Sequence, residues 1–229
     1  MRSPRIVLFD IDGTLMRGAG PHHKEALIAA TKEAMGVECT LDGVDTSGQL
    51  DTDLLRLMLT NAGLSKVRIG ASIRRVMEAA QHHYTVNCKA DFSAKLCPGV
   101  KSALEMLAKH RIPVGLVTGN LSAIAWRKLE HADIDRHFSF GAFAEEATTR
   151  TRLARLAVLK AKKKHLAAAS CSVTLIGDHA NDIAAAQANG FRSVAVATGL
   201  MDADQLSSFK PDVLLNNLES ATLDIICGN

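Results

Sequence analysis

Aromatic side chains are scarce in this 229-residue chain: one Trp, one Tyr and seven Phe make up 4% of it. So few leave little on which nucleic-acid bases can stack. No apolar run approaches the ~20 residues that span a bilayer. The five cysteines, Cys39, Cys88, Cys97, Cys171 and Cys227, are odd in number and show no CxxC spacing. That speaks against a disulfide framework and for reduced thiols in a cytoplasmic protein. An excess of one charge sign is missing too. The 27 Lys and Arg stand against 24 Asp and Glu, a net of +3 with no basic arm. Neither nucleic acid nor a membrane surface is therefore an expected partner. Met1-Arg2-Ser3-Pro4 runs directly into an apolar stretch, and no signal peptide is expected.

Short apolar runs are present at Ile6–Phe9, Val114–Val117, Val173–Ile176, Val194–Ala197 and Val213–Leu215, with a weaker one at Phe138–Phe143. Each has strand length and lacks polar alternation, which suits a parallel sheet covered on both faces. Helical periodicity separates them. Val100, Ala103, Leu104, Leu107 and Ala108 share one helix face; so do Leu121, Ile124, Ala125 and Leu129, and again Leu153, Leu156 and Ala157. Ile183–Ala188 reads as a helix stopped by Asn189-Gly190. Strand and helix alternate from about residue 98 onward, the pattern of a doubly wound, Rossmann-like α/β fold.

An insert of about eighty residues lies between the first two strands, far longer than an ordinary βα connection. Its pattern is helical, with a helix expected near Pro21–Met35. Further stripes run through Leu54, Leu55, Met58, Leu59 and Ala62, and through Ile69, Ile73, Val76, Met77 and Ala80. The insert is expected to be a small α-helical cap domain of residues 18–96 over a core of residues 1–17 and 97–229. Gly18-Ala19-Gly20 and Leu96-Cys97-Pro98-Gly99 are the expected hinges. Lys160–Lys164 reads as the solvated end of a helix.

The chemistry gathers at strand ends. Asp10 and Asp12 follow the first strand; in extended chain, residues two apart point the same way. They are expected to emerge together where open α/β sheets bind ligands. Two such carboxylates repel each other, and a bound cation offsets that cost. Thr118-Gly119-Asn120 ends the second strand and opens a helix, a hydroxyl followed by backbone amides that can cradle an anion. Gly177-Asp178 ends another strand, with Asp182 four residues on. Arg150 and Arg152, just ahead of the helix near Leu153, are the candidates for the cation beside a bound anion. Gln49, Asp51 and Asp53 are polar candidates for leaving-group contact. His179 reads as an exposed loop residue.

These motifs resemble those of the haloacid dehalogenase superfamily of phosphohydrolases. Asp10–Leu15 matches D-x-D-G-T-[LV], Leu116–Thr118 matches the apolar strand ending in Thr or Ser, and Gly177–Asp182 matches G-D-x-x-x-D. The helical insert resembles the cap of the phosphoglycolate phosphatase and β-phosphoglucomutase branch. Ser47-Gly48-Gln49-Leu50-Asp51 is similar to a degraded form of that branch's G-R-T-D segment. The branch's third-motif Lys is missing; Arg150 takes the role in this reading, with Arg152 as the alternative.

The resemblance implies a Mg²⁺-dependent phosphatase acting on a small phosphorylated metabolite. Asp10 is then the nucleophile that forms an aspartyl-phosphate, and Asp12 the acid and base. Mg²⁺ is expected on the Asp10 carboxylate, the Asp12 backbone carbonyl and Asp178, with Asp182 behind them. Thr118, the amides of Gly119 and Asn120, and Arg150 are expected to bind the phosphoryl group. The acid at Asp12 separates phosphatases and mutases from the dehalogenases, phosphonate-cleaving members and ion-pumping ATPases of the superfamily. A phosphomutase and a non-catalytic interaction protein are the alternatives, and a monomer or homodimer is the expected state.

Overall fold

Six parallel strands form a single sheet in the order β3-β2-β1-β4-β5-β6 in the computed structural model, which describes residues 4–228 apart from 19 and 169. They are β1 (Arg5–Phe9), β2 (Val114–Val117), β3 (Phe140–Ala142), β4 (Ser172–Gly177), β5 (Arg192–Val196) and β6 (Val213–Leu215). The chain builds outward from β1 on one side, then returns and builds outward from β4 on the other. The switch point therefore lies between β1 and β4, where a crevice opens at the carboxyl ends of the strands. Ile6, Val7, Leu8 and Phe9 are each no more than 1% exposed, which accounts for the absence of polar alternation in β1.

Helices α1 (His22–Met35), α2 (Asp51–Asn61) and α3 (Lys66–Asn87) make up the insert. Helix α3 is the platform on which both α1 and α2 pack. It begins at Ser65, whose side chain accepts a hydrogen bond from the Arg68 amide. Helix α1 stops at Gly36, whose left-handed φ of 68° returns its amide to the Lys32 carbonyl. The two connections between insert and sheet run side by side. Arg17 N donates to Lys95 O at 2.9 Å and Cys97 N to Leu15 O at 3.0 Å. Both expected hinges flank this pairing. Ala19 of the first hinge lies outside the described residues, as do Met1–Ser3 of the amino-terminal stretch.

The remaining helices are α4 (Val100–Lys109), α5 (Ser122–His131), α6 (Arg150–Lys163), α7 (Ala180–Ala188), α8 (Ala203–Ser207) and α9 (Leu223–Cys227). Helices α6 and α7 pack together and reach β2–β5, while α9 packs on β1 and β4. Thr174 Oγ1 ties α9 down by donating to Ile226 O at 2.9 Å. The structure trims the expected third-edge strand to Phe140–Ala142, because Asp135–His137 makes a 3₁₀ turn just before it and Ala144–Glu146 another just after. The lysine run is less solvated than expected. Lys160 Nζ donates to Gly141 O and pairs with Glu146, and Lys164 Nζ donates to Ser139 O. Among the described residues no helix is long and apolar enough to cross a membrane. All five cysteines are free.

Gly99 precedes α4 at φ 83°, and a Cβ there would overlap the backbone of Leu218 and Glu219. Gly99→Ala is expected to lower the unfolding free energy by about 2 kcal/mol, from left-handed strain plus the clash. Urea denaturation checks this; an unchanged midpoint would refute the packing argument.

Candidate active site

Directly after β1 the chain turns sharply. Ile11 O accepts hydrogen bonds from the amides of Leu15 and Met16, and Gly13 N donates to Met16 O at 2.8 Å. Gly13 holds φ 88°, and a Cβ there would overlap the Asp178 carboxylate. A side chain is thus excluded on both conformational and steric grounds. The turn seats Asp10 in the crevice between β1 and β4, 4% exposed, and leaves Asp12 facing the cavity. Thr14 Oγ1 donates to Asp178 Oδ1 at 2.9 Å. Thr198 Oγ1 donates to Gly13 O at 2.6 Å and fastens the turn from the far side.

Asp10, Asp178 and Asp182 come together, with one carboxylate oxygen of each within 4.8 Å of the others. All three are buried. Burial, then the charge of Asp10 and of Asp182, pushes Asp178 up to about 8. Burial, opposed by Arg150 and reinforced by Asp10, pushes Asp182 up to about 7. Asp10 is also raised, by burial against the pull of Arg150. Arg150 is the cation among them. Its Nη1 donates to Asp10 Oδ1 at 2.9 Å and to Val117 O at 3.1 Å, and its Nε lies 3.2 Å from Asp182 Oδ1. Burial opposes the Arg150 charge, but Asp10 and Asp182 outweigh it and raise its pKa. Three acids against one guanidinium leave a concentrated, all-oxygen, negative site. That donor set suits a hard divalent cation.

Arg150 is the first residue of α6, positioned by Thr149, whose Oγ1 accepts from the Arg152 amide at 3.2 Å. Arg152 itself points outward, with its guanidinium on Thr148 Oγ1. Of the two arginines, only Arg150 is brought to the acids.

Asp12 does not join that cluster. Lys128 Nζ donates to both of its carboxylate oxygens at 2.7 Å, and Asn120 Nδ2 donates to Oδ2 at 2.8 Å. Enclosure raises the Asp12 carboxyl, but the charge and hydrogen bonds of the Lys128 ammonium, with the Asn120 hydrogen bond, outweigh it and hold the pKa below the ordinary value. The two aspartates leave the strand together, as expected, and line one cavity of about 360 Å³. Each has its own cation.

The segment after β2 is tightly tied. Thr118 is fully buried, and its Oγ1 accepts from the Asn120 amide at 3.2 Å. Gly119 O accepts from Asp51 N at 2.8 Å, and a Cβ on Gly119 would overlap Gln49 O. Of the expected phosphoryl-binding residues, Asn120 lines the cavity, whereas Arg150 lines a neighbouring pocket beside Asp53. The amino end of α5 borrows its caps from elsewhere. Leu121 N donates to Asp51 Oδ2 at 2.8 Å, Ser122 N to Glu145, and Ala123 N to Gln81 Oε1 at 2.9 Å. Asp51 and Gln81 belong to the insert. His179 is half-buried rather than exposed. It caps α7 through Nδ1, and a Cβ on Gly48 would overlap its ring.

Sequence reasoning missed Lys128 and His23 and took only the backbone of Asn120. Lys128 had a signal. Leu121, Ile124, Ala125 and Leu129 define a buried α5 face, and position 128 falls on it at i+7 from Leu121. A lysine in an apolar stripe points to a buried ion pair.

A family model for haloacid dehalogenase-like hydrolases matches residues 4–190. The chain is 26% identical over 231 residues to a phosphoglycolate phosphatase of Photorhabdus laumondii, covering 95% of this chain and 90% of that protein. It is 24% identical over 222 residues to the tyrosine-protein kinase PtkA of Mycobacterium tuberculosis, covering 97% and 71%. In fold it is similar to a β-phosphoglucomutase of Clostridium difficile, with a TM-score of 0.68 at 19% identity and coverage of 96% and 94%.

Replacing Arg150 by Met strands three buried carboxylates. In chelator, Arg150→Met is expected to cost about 3 kcal/mol of stability, the scale for breaking a buried ion pair. Arg152→Met is expected to leave the urea midpoint unchanged. Equal midpoints for both variants would reverse the assignment.

Proposed function

The chain belongs to the haloacid dehalogenase-like hydrolases, and on that premise we propose that it is a Mg²⁺-dependent phosphatase of small phosphomonoesters. The observation that carries the reading is the division of the strand-end carboxylates. Asp10 lies buried against Arg150, while Asp12 is held apart by Lys128. Two carboxylates at one strand end with separate cationic partners can take separate tasks, and the Lys128 ammonium beside Asp12 favours the carboxylate form that accepts a proton from water. The likeness to a phosphoglycolate phosphatase supports a small, phosphoglycolate- or sugar-phosphate-like ester, as does a cavity of about 360 Å³.

In this reading residues 1–17 and 97–229 form the catalytic core and residues 18–96 the cap; the paired connections at Arg17 and Cys97 support that division. Asp10 attacks phosphorus, forming an O–P bond as the ester O–P bond breaks, and Asp12 protonates the departing oxygen. Water then attacks the aspartyl-phosphate, Asp12 takes its proton, and the Asp10 carboxylate is released. Arg150, Thr118 and the Gly119 and Asn120 segment steady the phosphoryl oxygens. The Asp10 carboxylate, the Asp12 backbone carbonyl and Asp178 would hold Mg²⁺, with Asp182 behind them. Such an ion lowers the repulsion between carboxylates and phosphoryl group.

Phosphate release from p-nitrophenyl phosphate and a panel of metabolite esters tests the reading. Wild-type activity is expected to need Mg²⁺ and to fall at least about 1,000-fold in Asp10→Asn. Equal activity in both proteins sinks the nucleophile. Mg²⁺ is also expected to raise the melting temperature of wild type but not of Asp178→Asn, since ligands stabilise the state that binds them. On a sugar phosphate, phosphorus NMR showing isomerisation without free phosphate would replace hydrolysis by a mutase reaction.

A further inference from the structure

Lys128 is 1% exposed, on the apolar face of α5 between Leu121, Ile124, Ala125 and Leu129. An ammonium buried there is costly unless every proton has an acceptor. Each has one: Asp12 Oδ1 and Oδ2 at 2.7 Å, and His23 Nδ1 at 3.2 Å. An ammonium only donates, so His23 Nδ1 accepts and the ring proton sits on Nε2. That proton is then donated to Asp51 Oδ2 at 2.9 Å, the oxygen that also accepts from Leu121 N. The chain of bonds passes from α2 through α1 to α5 and ends on Asp12. It joins the insert to one carboxylate of the core.

We propose that Lys128, anchored on the insert through His23 and Asp51, is the positioning residue that aims Asp12 for hydrolysis of the aspartyl-phosphate. The proposal rests on the phosphatase reading above. A carboxylate offers about four lone-pair sites. Lys128 occupies one on each oxygen and Asn120 a second on Oδ2. One site on Oδ1 is left, so the position that receives a proton is fixed. In the hydrolytic step the water oxygen bonds to phosphorus, and the bond from phosphorus to the Asp10 oxygen breaks. Its electron pair returns to Asp10, and the water proton passes to that remaining Oδ1 site. The protonated Asp12 then serves the leaving oxygen of the next ester.

p-Nitrophenyl phosphate separates this role from general support of the fold. Nitrophenolate departs without a proton, so forming the aspartyl-phosphate from this ester does not need Asp12. The ratio kcat/KM reports steps up to that point, and kcat reports the hydrolysis that follows. Lys128→Met keeps the side chain's bulk. It is expected to lower kcat roughly 30-fold, lower KM in parallel, and hold kcat/KM within about threefold. A burst of nitrophenolate equal to the enzyme concentration should appear. His23→Gln, which leaves both bonds to Asp12 in place, is expected to show the same split at about a fivefold loss of kcat, and it carries the test if Lys128→Met fails to fold. An equal fall in kcat and kcat/KM, or no fall in either, overturns the assignment and leaves the phosphatase reading standing. Wild-type and Asp10→Asn controls report on that reading separately; a wild type that releases no phosphate overturns both.

Discussion

Two buried cations hold two aspartates, and that partition organises the crevice. Asp10 and Asp12 are two residues apart, so without separate partners their charges would oppose each other at the same strand end. Arg150 reaches Asp10 from the start of α6, and Lys128 reaches Asp12 from the middle of α5. The result is a carboxyl pushed upward in one place and one held down in the other. Both cations come from segments far after β1 in the sequence, so each pair exists only in the assembled fold. The order of strands, with β1 and β4 adjacent, then brings Asp178 and Asp182 against Asp10.

Much of this was legible in the sequence because strand ends are marked by strong local signals. Asp10, Thr118 and Asp178 each follow an apolar run, and such runs become parallel strands whose carboxyl ends converge. Arg150 was preferred by its distance from Asp178 with Arg152 as the alternative, but the physical reason that separates the two was not legible. Two residues of helix phase, about 200°, send one arginine inward and the other outward, and the cap at Thr149 sets that phase. His23 and the partners of Lys128 were hidden for a different reason. Neither His23 nor Lys128 belongs to a motif, and their meaning exists only once α1 and α5 face each other. The short α8 and α9 were also unread, since five residues carry too little periodicity. Asp51 was read as a candidate for leaving-group contact; it lines the cavity and is engaged there by His23 and by Leu121.

Close approach of backbones lets the insert sit this deep. Gly119 gives the carbonyl of Gln49 the space a side chain would fill, and Gly48 does the same for the ring of His179. Asn181 Nδ2 adds a bond to Gly48 O at 2.9 Å. These polar contacts add positional constraint to an apolar core that runs without a break from the insert into the sheet domain.

The borrowed caps of α5 set a condition on any opening of the insert. Any opening must strip the Leu121 and Ala123 amides of Asp51 and Gln81, leaving two peptide donors that only solvent can serve. Opening is therefore an act of hydration as well as a rotation, and its equilibrium depends on how freely water can enter. Were the insert to open, solutes excluded from protein surfaces would oppose that hydration and favour the closed arrangement, so the osmotic character of the medium would bear on access to the crevice independently of any ligand inside it.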